Sequence, residues 1–191
     1  MNFLGHLFFS NNDIELMQAN LYGDFVKGKD YTHLPLKLQE GVTLHRKIDH
    51  FIDHHPAVLD LVHLLHDDLP KVAAIAIDIY FDHLLAKNWS KFHSIDFESF
   101  VNNFYQSINT STDFYSEKFQ FMLRKMQEDN WLLSYKCLEG LNLSCQGVSR
   151  RISFDNQLKN GLFVFLKHEV EIEKTFFVYM KDAISFFMKV N

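Results

Sequence analysis

The segment Lys71–Trp89, KVAAIAIDIYFDHLLAKNW, constrains the fold more than any other part of the chain. It reads as a helix that is apolar nearly all the way round, and such a helix belongs in the middle of a domain, covered on every side. The rest of the sequence supplies the covering helices. From Pro35, the residues Leu38, Val42, His45, Ile48, Asp49 and Ile52 recur at steps of three and four, which defines one helix face. Pro56–His66 repeats the pattern over a shorter run, with Val58, Leu61, Val62 and Leu65. Asp13–Lys27 is helical in pattern, with Gly28 placed as its C-cap. Asp96 is positioned to cap a helix carrying Phe97, Phe100, Val101 and Phe104, and Thr112 or Asp113 to cap another carrying Phe119, Met122, Leu123 and Met126. Further helices are expected over Trp131–Cys145 and Asp155–Val190, the second broken near Gly161. Each of the three prolines (Pro35, Pro56, Pro70) stands where a helix can begin. No stretch alternates with period two, and there is no repeat or linker. The expectation is a single compact all-α domain over residues 1–191.

Charge and composition exclude several function classes. A net charge of −5 argues against a general nucleic-acid binder. The two cysteines, Cys137 and Cys145, fit neither a zinc-finger spacing nor a disulfide framework and suit a reducing compartment. The N-terminus lacks the basic start of a signal peptide. No run reaches the roughly 18 apolar residues of a membrane span; Leu162–Val190 comes nearest but is broken by charges from Lys167 to Lys174. A cytoplasmic protein is expected. The 20 phenylalanines point to a bulky aromatic core.

The candidate chemistry lies in the first half, where ten of the eleven histidines fall. His45 and Asp49 are four apart and therefore neighbours on one helix face, beside Val42, Ile48 and Ile52. They suit a pair of metal ligands, or an ordinary His–Asp hydrogen bond. Asp78 and Asp82 repeat the spacing inside the apolar helix, followed by His83. Burying an ionised carboxylate costs several kcal/mol even after relaxation, against a net stability of about 5–15 kcal/mol for a whole domain. Two buried aspartates therefore require a cation, arginine partners or hydrogen-bond donors, and the chain has only four arginines. His6 in FLGHL and Asp24 in NLYGDFVKG also sit in apolar company; a satisfied core histidine and a helix-end cap are the plainer readings of these two. Oxygen-rich donors with some imidazole and no thiolate suit Mn²⁺, Fe²⁺ or Mg²⁺ better than structural zinc. The Glu-x-x-His, HExxH, Gly-rich phosphate loop and G-x-S-x-G patterns are all missing. His54, His55, His63 and His66, around a loop and the short helix after it, suggest a second metal site, but plain surface histidines are the favoured reading.

The motifs FLGHL, NLYGDFVKG, GVTLHRKID and DIYFDHLLAKNW, in this order and spacing, resemble those of the acyl carrier protein phosphodiesterases. The resemblance is dense from Met1 to about Trp89 and thins afterwards, with GVSRR (Gly147–Arg151) the best later match. It implies a helical protein distantly similar to the HD-domain phosphohydrolases. It implies hydrolysis of the phosphodiester joining 4′-phosphopantetheine to a serine of holo acyl carrier protein, typically with Mn²⁺. Carried over by motif, the site comprises His6, Asp24, His45, Asp49, Asp78, Asp82 and His83. Within that set we expect Asp24, His45, Asp49 and Asp82 to hold the metal and His6, Asp78 and His83 to assist catalysis. Arg46, Lys47, Arg150 and Arg151 are expected to meet the acidic carrier protein. The chain departs from the family pattern at Gly5 and Gly23, where alanine is common, and at Lys47, where arginine is common; none of these is expected to touch a ligand. Two other readings remain open on sequence alone: an HD-like phosphohydrolase of a nucleotide or other small phosphoester, and a non-catalytic helical module that binds metal or a partner.

Overall fold

The computed structural model describes residues 1–109 and 114–188, and among these the regular structure is entirely helical. The order is α1 (Phe3–Phe8), α2 (Ile14–Tyr22), α3 (Leu36–Asp53), α4 (Pro56–Leu65), α5 (Ala73–Lys87), α6 (Phe97–Gln106), α7 (Glu117–Glu128), α8 (Trp131–Ser134), α9 (Leu138–Arg151), α10 (Gly161–Lys167) and α11 (Glu169–Phe187). Short 3-10 turns follow α2 at Gly23–Phe25 and α5 at Trp89–Lys91, and another precedes α10 at Leu158–Asn160.

The apolar helix lies at the centre, as its composition requires. α5 packs against α1, α4, α9 and α11, and residues Tyr80, Phe81, Leu84 and Leu85 have no exposed surface. The aromatic residues fill the space around it: Phe81 meets Phe176 edge-on and Tyr179 at a tilt, both on α11, and Tyr80 packs on Phe165 of α10. α2 and α3 share the most extensive contact of any helix pair among the described residues. Gly41 makes this possible, since a Cβ there would fall 2.3 Å from the Ala19 backbone. α1 lies on α2 and α5, and α2 on α3, which brings the four motif segments together.

Several boundaries differ from the sequence expectation. α2 starts at its expected cap, Asp13 accepting from the Leu16 amide, but ends at Tyr22 rather than Lys27, because the chain tightens into the turn at Gly23–Phe25. Gly28 takes positive φ (+80°) in the loop beyond. Pro35 caps α3 from outside, Pro56 is the first residue of α4, and Pro70 lies in the turn before α5. The helix expected over Trp131–Cys145 is split into α8 and α9 around Cys137, whose Sγ accepts from the Gly140 amide and starts α9. The last helical region begins at Leu158 instead of Asp155, with the Asn156 side chain accepting the Leu158 amide. Asp96 caps α6 as expected, whereas Ser116 caps α7; the expected caps Thr112 and Asp113 lie outside the described residues. His54, His63 and His66 are exposed, but His55 is buried beside Asp182 at 3.2 Å, which corrects its reading as a surface residue. Among the described residues, no helix is long and apolar enough to cross a membrane.

Candidate metal centre

Four of the seven expected site residues converge. His45 and Asp49 sit one turn apart on α3, and the His45 Nε2 atom is 3.1 Å from Asp49 Oδ2. The same nitrogen is 3.3 Å from Asp24 Oδ1, which the turn after α2 delivers. His6, from α1, stacks its ring on His45 with centroids 4.1 Å apart and places Nε2 3.3 Å from the other Asp49 oxygen. Donor atoms of His6, His45 and Asp49 all fall within 4.8 Å of one another, a separation one cation can span. The imidazoles are buried, while Asp24 and Asp49 are partly open to a cavity of about 450 Å³. His6, Asp24, Asp49, Asp53, Asp78 and Arg151 are among its walls.

Local backbone chemistry explains how Asp24 arrives. Gly23 presses directly on the His45 ring, and a Cβ would lie 2.3 Å from the ring carbon. Gly23 was expected to touch no ligand; it is instead the contact that lets the turn approach His45. Gly5 likewise takes part, since its amide donates to Asp82.

A buried network that the motifs did not reveal orients His6. Asn20, on α2 and fully buried, donates through Nδ2 to the His6 carbonyl at 2.9 Å and to Ser10 Oγ at 3.0 Å. Ser10 in turn donates to the same His6 carbonyl. These donations fix the amide orientation, so Asn20 Oδ1 faces His6 Nδ1 at 2.9 Å and must accept its proton. In the neutral ring, Nε2 then carries a bare lone pair aimed at Asp49. Burial, helped by the charge on His45, lowers the His6 pKa and favours that neutral form. Two acceptors face each other there, and a cation between them resolves the conflict.

The charges balance differently at His45. Burial opposes a charge on its ring, but Asp24 and Asp49 outweigh burial and raise its pKa to about 9. Burial likewise works against ionising Asp49 and Asp24, yet the charged His45 ring holds both carboxyls below their usual range. Without a metal, the proton on His45 therefore does a cation's work. The donor set of two imidazole nitrogens and two carboxylates, with His6 locked by Asn20, fits a divalent ion of the Mn²⁺, Fe²⁺ or Mg²⁺ class.

The remaining expected residues are placed elsewhere. Asp82 is 1 % exposed and points at the start of α1, where Oδ2 accepts from the Leu4 amide at 2.7 Å and Oδ1 from the Gly5 amide at 3.0 Å. Both oxygens are thus committed to backbone donors instead of the cluster, and burial still pushes its carboxyl up to about 7. Asp78 is not buried as expected: it lies in the cavity wall, 2.9 Å from the α-amine of Met1. His83 faces away, Nδ1 meeting the Tyr135 carbonyl at 2.7 Å and the ring edge-on to Phe165. Arg46 braces the loop before α3, donating to the Val26 and Gly28 carbonyls and lying over the Tyr31 ring. Lys47 and Arg150 are exposed, and Arg151 lines the cavity. Asp53, one turn beyond Asp49, also lines it and was missed, although its four-residue spacing from Asp49 was visible in the sequence.

The acyl carrier protein phosphodiesterase family matches residues 1–183. The chain belongs to that family. A relative from Photorhabdus laumondii, named acyl carrier protein phosphodiesterase, is 31 % identical over 152 residues, covering 79 % of this chain and 77 % of its own. Two relatives of the same name from Salmonella agona and Salmonella newport are each 27 % identical over 178 residues, covering 92 % of both chains. No solved structure matches. Membership in the acyl carrier protein phosphodiesterase family extends well past the motif-dense first half, through α9 and most of α11.

Proposed function

We propose that this chain hydrolyses the phosphodiester bond between 4′-phosphopantetheine and a serine of holo acyl carrier protein, with a divalent cation, Mn²⁺ first, held by His6, His45, Asp49 and Asp24. The observation that carries the metal reading is the shared carboxylate of Asp49, with one histidine Nε2 at each oxygen and a third chain segment, Asp24, closing on His45. The substrate reading rests on the family and on the relatives' names.

A cation bound there supplies Lewis acidity to the phosphoryl group and to the attacking water. The chain supplies the rest. Asn20 keeps His6 Nδ1 protonated and so leaves Nε2 free to donate its lone pair. Arg151, in the cavity wall, offers a guanidinium to the phosphoryl oxygens in a pocket walled by four carboxylates. Asp53 is the wall carboxyl best suited to hold a proton for the departing serine oxygen, because burial, then the charges of Asp78 and Asp49, raise its pKa. Asp82 ties the start of α1 to α5 and thereby sets the position of His6. The Lys47, Arg150 and Arg151 side chains give the acidic carrier protein a local basic edge on a protein of net charge −5. The reaction suits the cytoplasm, where carrier proteins work.

The test is release of 4′-phosphopantetheine from holo carrier protein across a titration of Mn²⁺, Mg²⁺ and Fe²⁺. Metal-stimulated release that Asp24→Ala and His45→Ala each abolish is the expected result. Release that survives complete metal removal, or no release with any of the three ions, overturns the proposal.

A further inference from the structure

A second depression lies beside the metal cavity and shares four wall residues with it, among them Phe3, Val148 and Arg151. It runs between α8 and α9 and encloses about 530 Å³, within the range of small-molecule sites. α9 contributes Leu143, Gly147 and Arg151 at four-residue steps, which form one row along the helix. α8 and the residue after it add Trp131, Ser134 and Tyr135. The two cavities differ in chemistry. The first is walled by carboxylates, the second mainly by aromatic and aliphatic carbon, with hydroxyls from Ser134 and Ser144 and the polar ends of Asn2 and Asp129 set among it. Arg151 stands at the junction and, among the described residues, makes no ion pair.

We infer that this groove seats the pantetheine arm of the substrate, with Arg151 at the boundary holding the phosphate end. The inference rests on the proposed function and names where the non-reacting part of that substrate lies. A linear arm whose methyl and methylene groups alternate with a hydroxyl and two amides needs apolar walls with scattered hydrogen-bonding groups, and it needs them to begin where the phosphate site ends. Trp131, Tyr135 and Leu143 offer the first, the serines the second, and the shared wall at Phe3 and Val148 the continuity. The GVSRR motif thereby gains a physical role: Gly147 keeps the groove open, and Arg151 joins it to the metal cavity.

Gly147 offers a direct way to block the groove. A Cβ at this position meets no atom within 4 Å, so a larger side chain grows into open space, and the position is helical with ordinary φ. Gly147→Phe is the primary variant, and Leu143→Asp, at a residue 57 % exposed, is the second in case the first does not fold. Binding of free 4′-phosphopantetheine, pantetheine and inorganic phosphate to the whole protein with Mn²⁺ is measured by calorimetry. The kcat and KM for holo carrier protein are measured in parallel. The expected result is at least tenfold weaker binding of 4′-phosphopantetheine, at least a tenfold fall in its preference over inorganic phosphate, and a rise in KM larger than any fall in kcat. Wild-type affinity for 4′-phosphopantetheine in both folded variants overturns the groove, and raised KM for carrier protein with that affinity intact overturns it in favour of a protein-docking surface. If wild type releases nothing from holo carrier protein, the proposed function fails, and the binding arm still decides the groove: affinity lost on blocking supports it, and no affinity in wild type overturns it.

Discussion

α3 and α5 carry the same sequence device and use it in opposite ways. Each has two titratable residues four apart on a face crowded with aliphatics: His45 and Asp49 on α3, Asp78 and Asp82 on α5. On α3 the pair opens onto a cavity and gathers His6 and Asp24 around itself. On α5 the two aspartates separate. Asp82 turns inward to the amides that begin α1, and Asp78 remains at the cavity wall with the Met1 amine. Spacing brings two side chains to one face, but what stands opposite decides whether they gather further donors or satisfy a helix end. The first turn of a helix presents unpaired amides and a partial positive charge, which suits a buried carboxylate as well as a cation does.

The sharpest way to break this contrast is to remove one carboxylate from each helix. Asp49→Ala takes away the group shared by two imidazoles. At least a hundredfold loss of kcat/KM is expected, about 2.7 kcal/mol of transition-state stabilisation, with the melting temperature moved by no more than about 4 °C because the side chain is half-exposed. Asp82→Ala should do the reverse. It strands two buried amides and is expected to cost about 2–5 kcal/mol of stability by denaturant unfolding, while the folded fraction keeps its metal affinity. An Asp82→Ala protein of wild-type stability that no longer binds metal would make Asp82 a ligand and erase the distinction.

Much of this organisation was legible in the chain. The central position of α5 follows from an apolar helix with no polar face, and the gathering of His6, Asp24, His45 and Asp49 follows from polar residues in apolar segments that share family motifs. Three things were not legible. The fate of Asp82 depends on where α1 begins relative to α5, across 77 residues of sequence. Asn20 looks like any polar residue in a helix until α1 folds over it. Arg46 lies next to His45 in sequence, yet a step of one residue on a helix turns it about a quarter turn away, where it meets the loop carbonyls at Val26 and Gly28.

Asn20 offers a finer probe of the α3 cluster, because it touches that cluster only through His6. Asn20→Ala removes the acceptor that fixes the tautomer, and metal affinity is expected to fall ten- to a hundredfold. Asn20→Asp keeps an acceptor for Nδ1–H and should recover most of that affinity in a direct metal titration. Equal losses in both variants would reduce Asn20 to a packing residue.

Protonation provides the next test. The metal-free His45 pKa is raised to about 9, so this group stabilises the fold fully below its ordinary value near 6.5, and the contribution is lost as pH rises through 9. Asp49 and Asp24 are lowered, so their contribution is present above about pH 4 and is lost as pH falls further. Metal-free protein should therefore gain most from the cluster between those limits. Metal must displace the His45 proton, so affinity should rise about tenfold per pH unit between neutrality and pH 9, with about one proton released at pH 7. Calorimetry in two buffers of different ionisation enthalpy counts that proton; a count of zero would place the charge elsewhere.

The smallest effect is expected at the third member of the α5 group, and it completes the comparison. His83 is buried, and burial lowers its pKa, so the ring is neutral and Nδ1–H donates to the Tyr135 carbonyl. Its Nε2 has no partner among the described residues. An imidazole that lines no part of the cavity beside Asp49 is not placed to move a proton there. His83→Gln, which retains a donor for Tyr135, should cost no more than about 1 kcal/mol of stability and leave kcat for holo carrier protein within about twofold of wild type. A hundredfold fall in kcat with unchanged stability would return His83 to the catalytic group that its motif suggests, and would mean that adjacency to Asp82 in sequence outweighs the side chain's direction in space.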